Sequence, residues 1–196
     1  EMLLLPDTQA MPDLRRMPIQ KVGVKGLRYP IAIRGRDGDA QSTIATFTMT
    51  VALPHDVKGT HMSRFVEILE RPRPAFDLAG FRAMLEAMLA RLEAADGKIE
   101  MRFPYFVRKA APMSGVESLL DYDATWTAER RDGRTRMTVG ITAPVTSLCP
   151  CSKSISEYGA HNQRSHITID AEVTVGEITL EEIARVAEDQ ASCEVY

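Results

Sequence analysis

From Gln41 to Leu53 apolar and polar residues alternate with a period of two. Thr43, Ala45, Phe47, Met49, Val51 and Leu53 share one face, and Ser42, Thr46, Thr48 and Thr50 the other. That is the signature of a strand with one side buried. Arg36-Asp37-Gly38-Asp39 precedes it as a hairpin turn, fed by a strand through Tyr29, Ile31 and Ile33. The period then changes. Met62 to Glu70 reads as a short helix stopped by Arg71-Pro72-Arg73-Pro74. Asp77 caps a second helix, whose stripe of Leu78, Phe81, Leu85, Met88, Leu89 and Leu92 recurs every three or four residues, with Asp96-Gly97 as its stop.

Alternation returns with Ile99, Met101, Phe103 and Tyr105, and again with Tyr122, Ala124, Trp126 and Ala128. Arg131-Asp132-Gly133 turns into a strand bearing Met137, Val139, Ile141, Ala143 and Val145 on one face. After a polar loop, Ile167, Ile169, Ala171, Val173 and Val175 alternate with His166, Thr168, Asp170, Glu172 and Thr174. Thr179 and Glu182 form a capping box for a last helix that turns Ile183, Val186, Ala187 and Gln190 to one side. The element order is ββααββ followed by ββα, an α+β pattern in which the second run repeats the first up to its first helix. The expected division is an N-terminal extension over 1–20, a first unit over 21–132, and the first half of a second unit over 133–196.

Composition narrows the functional classes. The 196 residues carry a net charge of −3, against the basic excess that general nucleic-acid binding requires. No apolar run reaches membrane-spanning length, so neither nucleic acid nor membrane is an expected partner. Three cysteines at uneven spacing do not make a disulfide framework, and a reducing cytoplasm is the expected compartment.

Three polar groups stand out. In the loop SLCPCSKSISEYGAHNQRSH, Cys149 and Cys151 flank a proline, and His161 and His166 follow Cys149 by 12 and 17 residues. Thiolate and imidazole suit zinc or a similar divalent ion. The spacing matches no common zinc finger, so a polar loop with small packing cysteines is the competing reading. Loops longer than about 12–15 residues usually carry function, which favours a site. A catalytic metal keeps three protein ligands, and only Cys149 and His161 present themselves. His166 opens the last strand on its polar face. The second group, Lys58 to Arg64, stands where a strand hands over to a helix and offers an anion cradle, or simply an ordinary helix start. The third comprises Arg71, Arg73, Arg108, Lys109, Arg130, Arg131, Arg134 and Arg136, read as scattered surface charge. Cys193 is assigned to packing on the last helix.

The stretches KGTHMSRF (58–65), SLLDYD (118–123), PVTSLCPCSKSISEYGAHNQRSH (144–166) and QASCEVY (190–196) resemble the type IB GTP cyclohydrolase (FolE2) family, from about Met17 to Tyr196. The resemblance implies a tunnelling fold (T-fold), with ββααββ units whose antiparallel sheets form barrels on oligomerisation. It implies a homotetramer with active sites at subunit interfaces and one divalent metal ion, Mn, Fe or Zn. The implied reaction converts GTP and water to 7,8-dihydroneopterin triphosphate and formate, the first step of folate-type pterin biosynthesis. By motif, Cys149 and His161 correspond to metal ligands, and His166 or His61 to a general acid/base. His61, Ser63, Arg64 and Lys153 become candidates for the triphosphate. The family's glutamate ligand and guanine-anchoring glutamate are expected beyond Tyr196, since Glu194 does not sit in the matching motif.

Two rivals differ in class. One is a metal-independent T-fold enzyme using Cys149 as nucleophile on a purine or pterin, which would keep its activity in a chelator. The other is a non-catalytic metal-binding assembly protein, which would hold metal without turning over GTP.

Overall fold

A computed structural model describes residues 21–35, 38–54, 59–110, 114–148, 162–173, 178–191 and 193–194. The strands are β1 (Val22–Arg34), β2 (Ala40–Val51), β3 (Gly97–Ala110), β4 (Glu117–Arg131), β5 (Arg134–Leu148), β6 (Asn162–Glu172) and the two-residue β7 (Cys193–Glu194). The helices are α1 (Ser63–Glu70) and α2 (Leu78–Arg91), both between β2 and β3, and α3 (Leu180–Asp189) between β6 and β7.

Each strand from β1 to β6 pairs antiparallel with the next, giving a sheet in sequence order. Short connections favour the β1–β2, β3–β4 and β4–β5 pairs, whereas β2 and β3 are joined through α1 and α2. Asp132 and Gly133, both at positive φ (51° and 74°), make the two-residue turn between β4 and β5, a conformation whose twist matches the flanking strands. The sheet runs without a break through that turn, where the sequence divides its two units. At the other end of β5, β4 pairing stops at Thr142, and β7 takes the vacated edge by pairing Val145 with Glu194 and Thr146 with Cys193.

The alternation selects one sheet face for burial. Ala45, Phe47, Met49 and Val51 of β2, Ile99 to Tyr105 of β3, Tyr122 to Ala128 of β4 and Met137 to Val145 of β5 are buried at every second residue. The helices cover that face. Phe81, Met84, Leu85, Met88 and Leu89 of α2 meet it together with Phe65, Ile68 and Leu69 of α1. Trp126 packs edge-on against Phe81 and Phe103, with ring centres 5.8 and 5.7 Å apart.

Three local expectations are corrected. The stop of α2 is not Asp96-Gly97 but Leu92-Glu93-Ala94. Glu93 has φ +53°, its N–H donates to the Ala90 carbonyl at 3.3 Å, and the Ala94 N–H donates to the Leu89 carbonyl at 3.0 Å. Those bonds close a Schellman turn with glutamate where glycine is usual. Asp96 instead ties neighbouring turns, accepting the Ala52 N–H on its carbonyl at 2.9 Å and the Asp132 N–H on its carboxylate at 3.0 Å. The buried stripe of α3 is Leu180, Ile183, Ala184, Ala187 and Glu188, so Val186 and Gln190 face outward. Cys193 belongs to β7 rather than to a helix, because α3 ends at Asp189 and the chain turns to join the free edge of β5.

A left-handed L-residue costs about 1 kcal/mol that glycine avoids, partly offset by glycine's larger unfolded-state entropy. Glu93→Gly is therefore expected to stabilise the protein by about 0.5 kcal/mol, read as a higher urea midpoint at constant m. An unchanged or lower midpoint would show that the turn is not strained.

Candidate functional site

Cys149, Cys151, Lys153 and His161 lie outside the described residues; the strands that carry their loop do not. β5 and β6 pair in unbroken register from Thr138 opposite Glu172 to Leu148 opposite Asn162. Leu148 and Asn162 are the covalent neighbours of Cys149 and His161, so the backbone positions from which those two residues depart face each other. β7 reaches the same end of β5 along its other edge, at Val145 and Thr146.

His166 stands opposite Pro144 and is exposed, on the sheet face turned away from the helices. Its neighbours Ile167 and Ile169 pack against the core on the helix face. Two residues along β6, Thr168 shares a 2.8 Å hydroxyl contact with Thr142.

His61, Ser63 and Arg64 gather at the start of α1. The His61 carbonyl accepts the Arg64 N–H, and the Met62 carbonyl the Phe65 N–H, both at 3.1 Å. Met62 is the N-cap in a right-handed helical conformation, and no side chain caps the helix. Ser63 is exposed, while His61 and Arg64 are half-buried. The first turn thus presents polar side chains beside a positive helix end.

The fold does not bring these groups together within one chain. α1 packs against α2 and β1, at one edge of the sheet, whereas β6 forms the other edge. Five inter-strand spacings of about 4.8 Å separate the edges, roughly 24 Å along the sheet. The helices and His166 also occupy opposite faces. Among the described residues no three His, Cys, Asp or Glu side chains cluster closely enough to hold a metal.

A buried polar group that sequence reading passed over links the two halves of the chain. Glu188 of α3 is 8% exposed. Its carboxylate accepts the Tyr122 hydroxyl from β4 and pairs with the Lys109 ammonium from β3, whose side chain is 11% exposed. In the first turn of the helix, Glu181 accepts the Tyr105 hydroxyl at 2.5 Å. α3 packs over β5, and these side-chain contacts tie it to β3 and β4 as well; it is followed by β7 beside the end of β5. A signal was available: Glu188 falls on the stripe of Leu180, Ile183, Ala184 and Ala187, where a carboxylate needs a buried partner.

Residues 5–196 match the family of type I GTP cyclohydrolase FolE2. The chain is 55% identical over 193 residues to GTP cyclohydrolase FolE2 of Paraburkholderia xenovorans, spanning 98% of this chain and 72% of that one. It is 55% identical over 197 residues to GTP cyclohydrolase FolE2 1 of Dechloromonas aromatica, spanning 100% and 74% respectively. Against GTP cyclohydrolase FolE2 2 of Cupriavidus metallidurans the identity is 56% over 193 residues, spanning 98% and 72%.

Removing one member of a buried ion pair leaves the other uncompensated, at a cost of about 3–5 kcal/mol. Glu188→Ala is expected to destabilise by about 3 kcal/mol in urea unfolding, and the pair Lys109→Met with Glu188→Leu to recover part of that loss. A cost below about 1 kcal/mol for Glu188→Ala would show that the ammonium and phenol find solvent instead.

Proposed function

The chain belongs to the type I GTP cyclohydrolase FolE2 family, and on that premise we propose that it hydrolyses GTP to 7,8-dihydroneopterin triphosphate and formate at a divalent-metal site. The observation that carries the reading is 55% identity along 98% of the chain to a protein of that name. The geometry supports it in two ways. The β5–β6 ladder starts Cys149 and His161 from paired backbone positions, as a thiolate and an imidazole on one ion require. The α1 start and the β6 edge are separated within one chain, as expected of a site completed by a second copy.

Cys149 and His161 are the residues that would hold Mn, Fe or Zn, with further ligation from outside the described residues. Their soft and borderline donors fit such an ion. A divalent cation held there supplies Lewis acidity for the addition of water at C8 of guanine. The rest of the work falls to the chain's own side chains. His166, exposed on the polar face of β6, is placed to receive or return a proton, and His61 at the start of α1 is the other candidate. Ser63, Arg64 and Lys153 bind the triphosphate, Arg64 and Lys153 by charge and Ser63 beside the positive helix end. Addition of water, ring opening and loss of formate leave the ribose carbons to close onto the pyrimidine, so phosphate contacts must hold the tail while the sugar rearranges. Assembly as a homotetramer would place the α1 start of one copy beside the β6 edge of another. A reducing cytoplasm suits a site that depends on a free thiolate.

Full-length protein with GTP and Mn²⁺ is expected to release formate and form a fluorescent pteridine. Cys149→Ala is expected to lose both bound metal and turnover. Full turnover in EDTA would remove the metal from the reaction, and retention of activity by Cys149→Ala would refute the ligand role of Cys149; turnover in EDTA that Cys149→Ala abolishes would point to the thiol as nucleophile.

A further inference from the structure

The segment between α1 and α2 reads Arg71-Pro72-Arg73-Pro74, and sequence alone gave its arginines no task. Arg71 is extended (φ −62°, ψ 129°), and each proline disfavours helical backbone in the residue before it. Arg71 and Arg73, two residues apart on this extended stretch, both border the same cavity. The segment is also anchored. The Phe76 N–H donates to the Ala32 carbonyl at 2.7 Å, and the Arg34 N–H to the Phe76 carbonyl at 2.8 Å, fixing Phe76 as a parallel bridge on the outer edge of β1.

Between this segment and the β1–β2 hairpin lies a cavity of about 420 Å³, lined by both arginines and by Tyr29, Ser42, Phe76 and Glu70 among others. The Arg73 guanidinium lies 5.4 Å from the centre of the Phe76 ring. Neither arginine makes an ion pair with a described residue, Glu70 included. Burial, and after it the like charge of Arg71, hold the Arg73 pKa below its ordinary value, with Tyr29 acting in the opposite sense. Two guanidinium groups, Arg73 half-buried and Arg71 exposed, thus border one concave space in which the Glu70 carboxylate is ion-paired to neither. An oxyanion between them would relieve both, and guanidinium forks match phosphoryl oxygens in geometry and charge. The cavity is within the size range of small-molecule sites and far larger than a bare phosphate needs. Its lining includes Tyr29, Phe76 and three prolines, residues suited to a flat organic group.

We propose that this cleft binds a small organic phosphate of mononucleotide size, with its phosphoryl group held by Arg71 and Arg73 and its ring against Phe76 and Tyr29. The ligand's phosphate belongs either to the substrate's own tail or to a separate metabolite. The variants used are at Arg71 and Arg73, to which the cyclohydrolase reading gives no role, so their effect on binding separates this cleft from the Ser63, Arg64 and Lys153 site.

The test is calorimetric titration of the full-length protein with GMP, and with guanosine as the probe lacking a phosphoryl group. Wild type is expected to bind GMP at least about tenfold more tightly than guanosine, and Arg71→Gln with Arg73→Gln to erase that difference. Arg71→Lys with Arg73→Lys, which keeps the charge and loses the fork, is expected to fall between the two. A raised KM for GTP at constant kcat in the glutamine variant would assign the phosphate to the substrate; lost GMP binding with unchanged KM would assign it to a separate ligand. GMP affinity that is absent from wild type, or unchanged in the glutamine variant, would overturn the proposal. So would a changed oligomeric state with unchanged GMP affinity, which would mean that the arginines hold a carboxylate of another copy.

Discussion

The pairing of β5 with β6 is the constraint on which the functional reading depends. A strand register that slips by one residue exchanges its two faces. Here a slip would turn His166 into the core and expose Ile167 and Ile169, which pack against it. The register is held on both sides of the sheet. Ile169 lies opposite Ile141 on the helix side, and Thr168 opposite Thr142 on the other. One ladder therefore sets two things together: which face carries His166, and where the loop of Cys149 and His161 begins and ends.

Much of this was legible in the sequence because the physical rules involved are local. Period-two alternation identified the buried residues of β2, β3, β4 and β5, since a half-covered sheet has only one way to hide them. The caps of α2 and α3 were readable from Asp77 and from Thr179 with Glu182; in the structure the Asp77 carboxylate accepts the Gly80 N–H at 2.7 Å, and Thr179 and Glu182 cap each other reciprocally. Failures came where distant contacts decide. Glu93 ends α2 in a conformation that composition does not advertise. Cys193 joins a strand because β4 has diverged from β5 and left an edge, which no stretch around Cys193 reveals. Val186 looked like core on a helical wheel, but tertiary packing rotated the covered stripe towards Ala184 and Glu188.

The candidate site was legible in a different sense. Its residue types came from motifs, and their chemistry followed from thiolate, imidazole and guanidinium character. Their arrangement did not, because it is a property of the whole sheet. His61, Ser63 and Arg64 ride on a helix over the β1 edge, while His166 rides on β6 at the opposite edge and on the opposite face. The folded chain carries them on opposite edges and opposite faces of one continuous sheet, with α3 tied across its two halves by Glu188, Tyr122 and Lys109. The proposed sharing of a site between copies would use such a frame, since geometry set once in the sheet would repeat in every copy.

The sharing of one active site between two copies is tested most directly by mixing two inactive variants. His61→Ala and His166→Ala proteins, each purified without turnover of GTP, are dissociated together and reassembled. If each site takes its α1 half from one chain and its β6 half from another, random assortment restores roughly a quarter of the sites, and the mixture turns over GTP while neither parent does. A mixture as inactive as its parents, despite proven exchange of subunits, would contradict the account and place both histidines in a site made by a single chain.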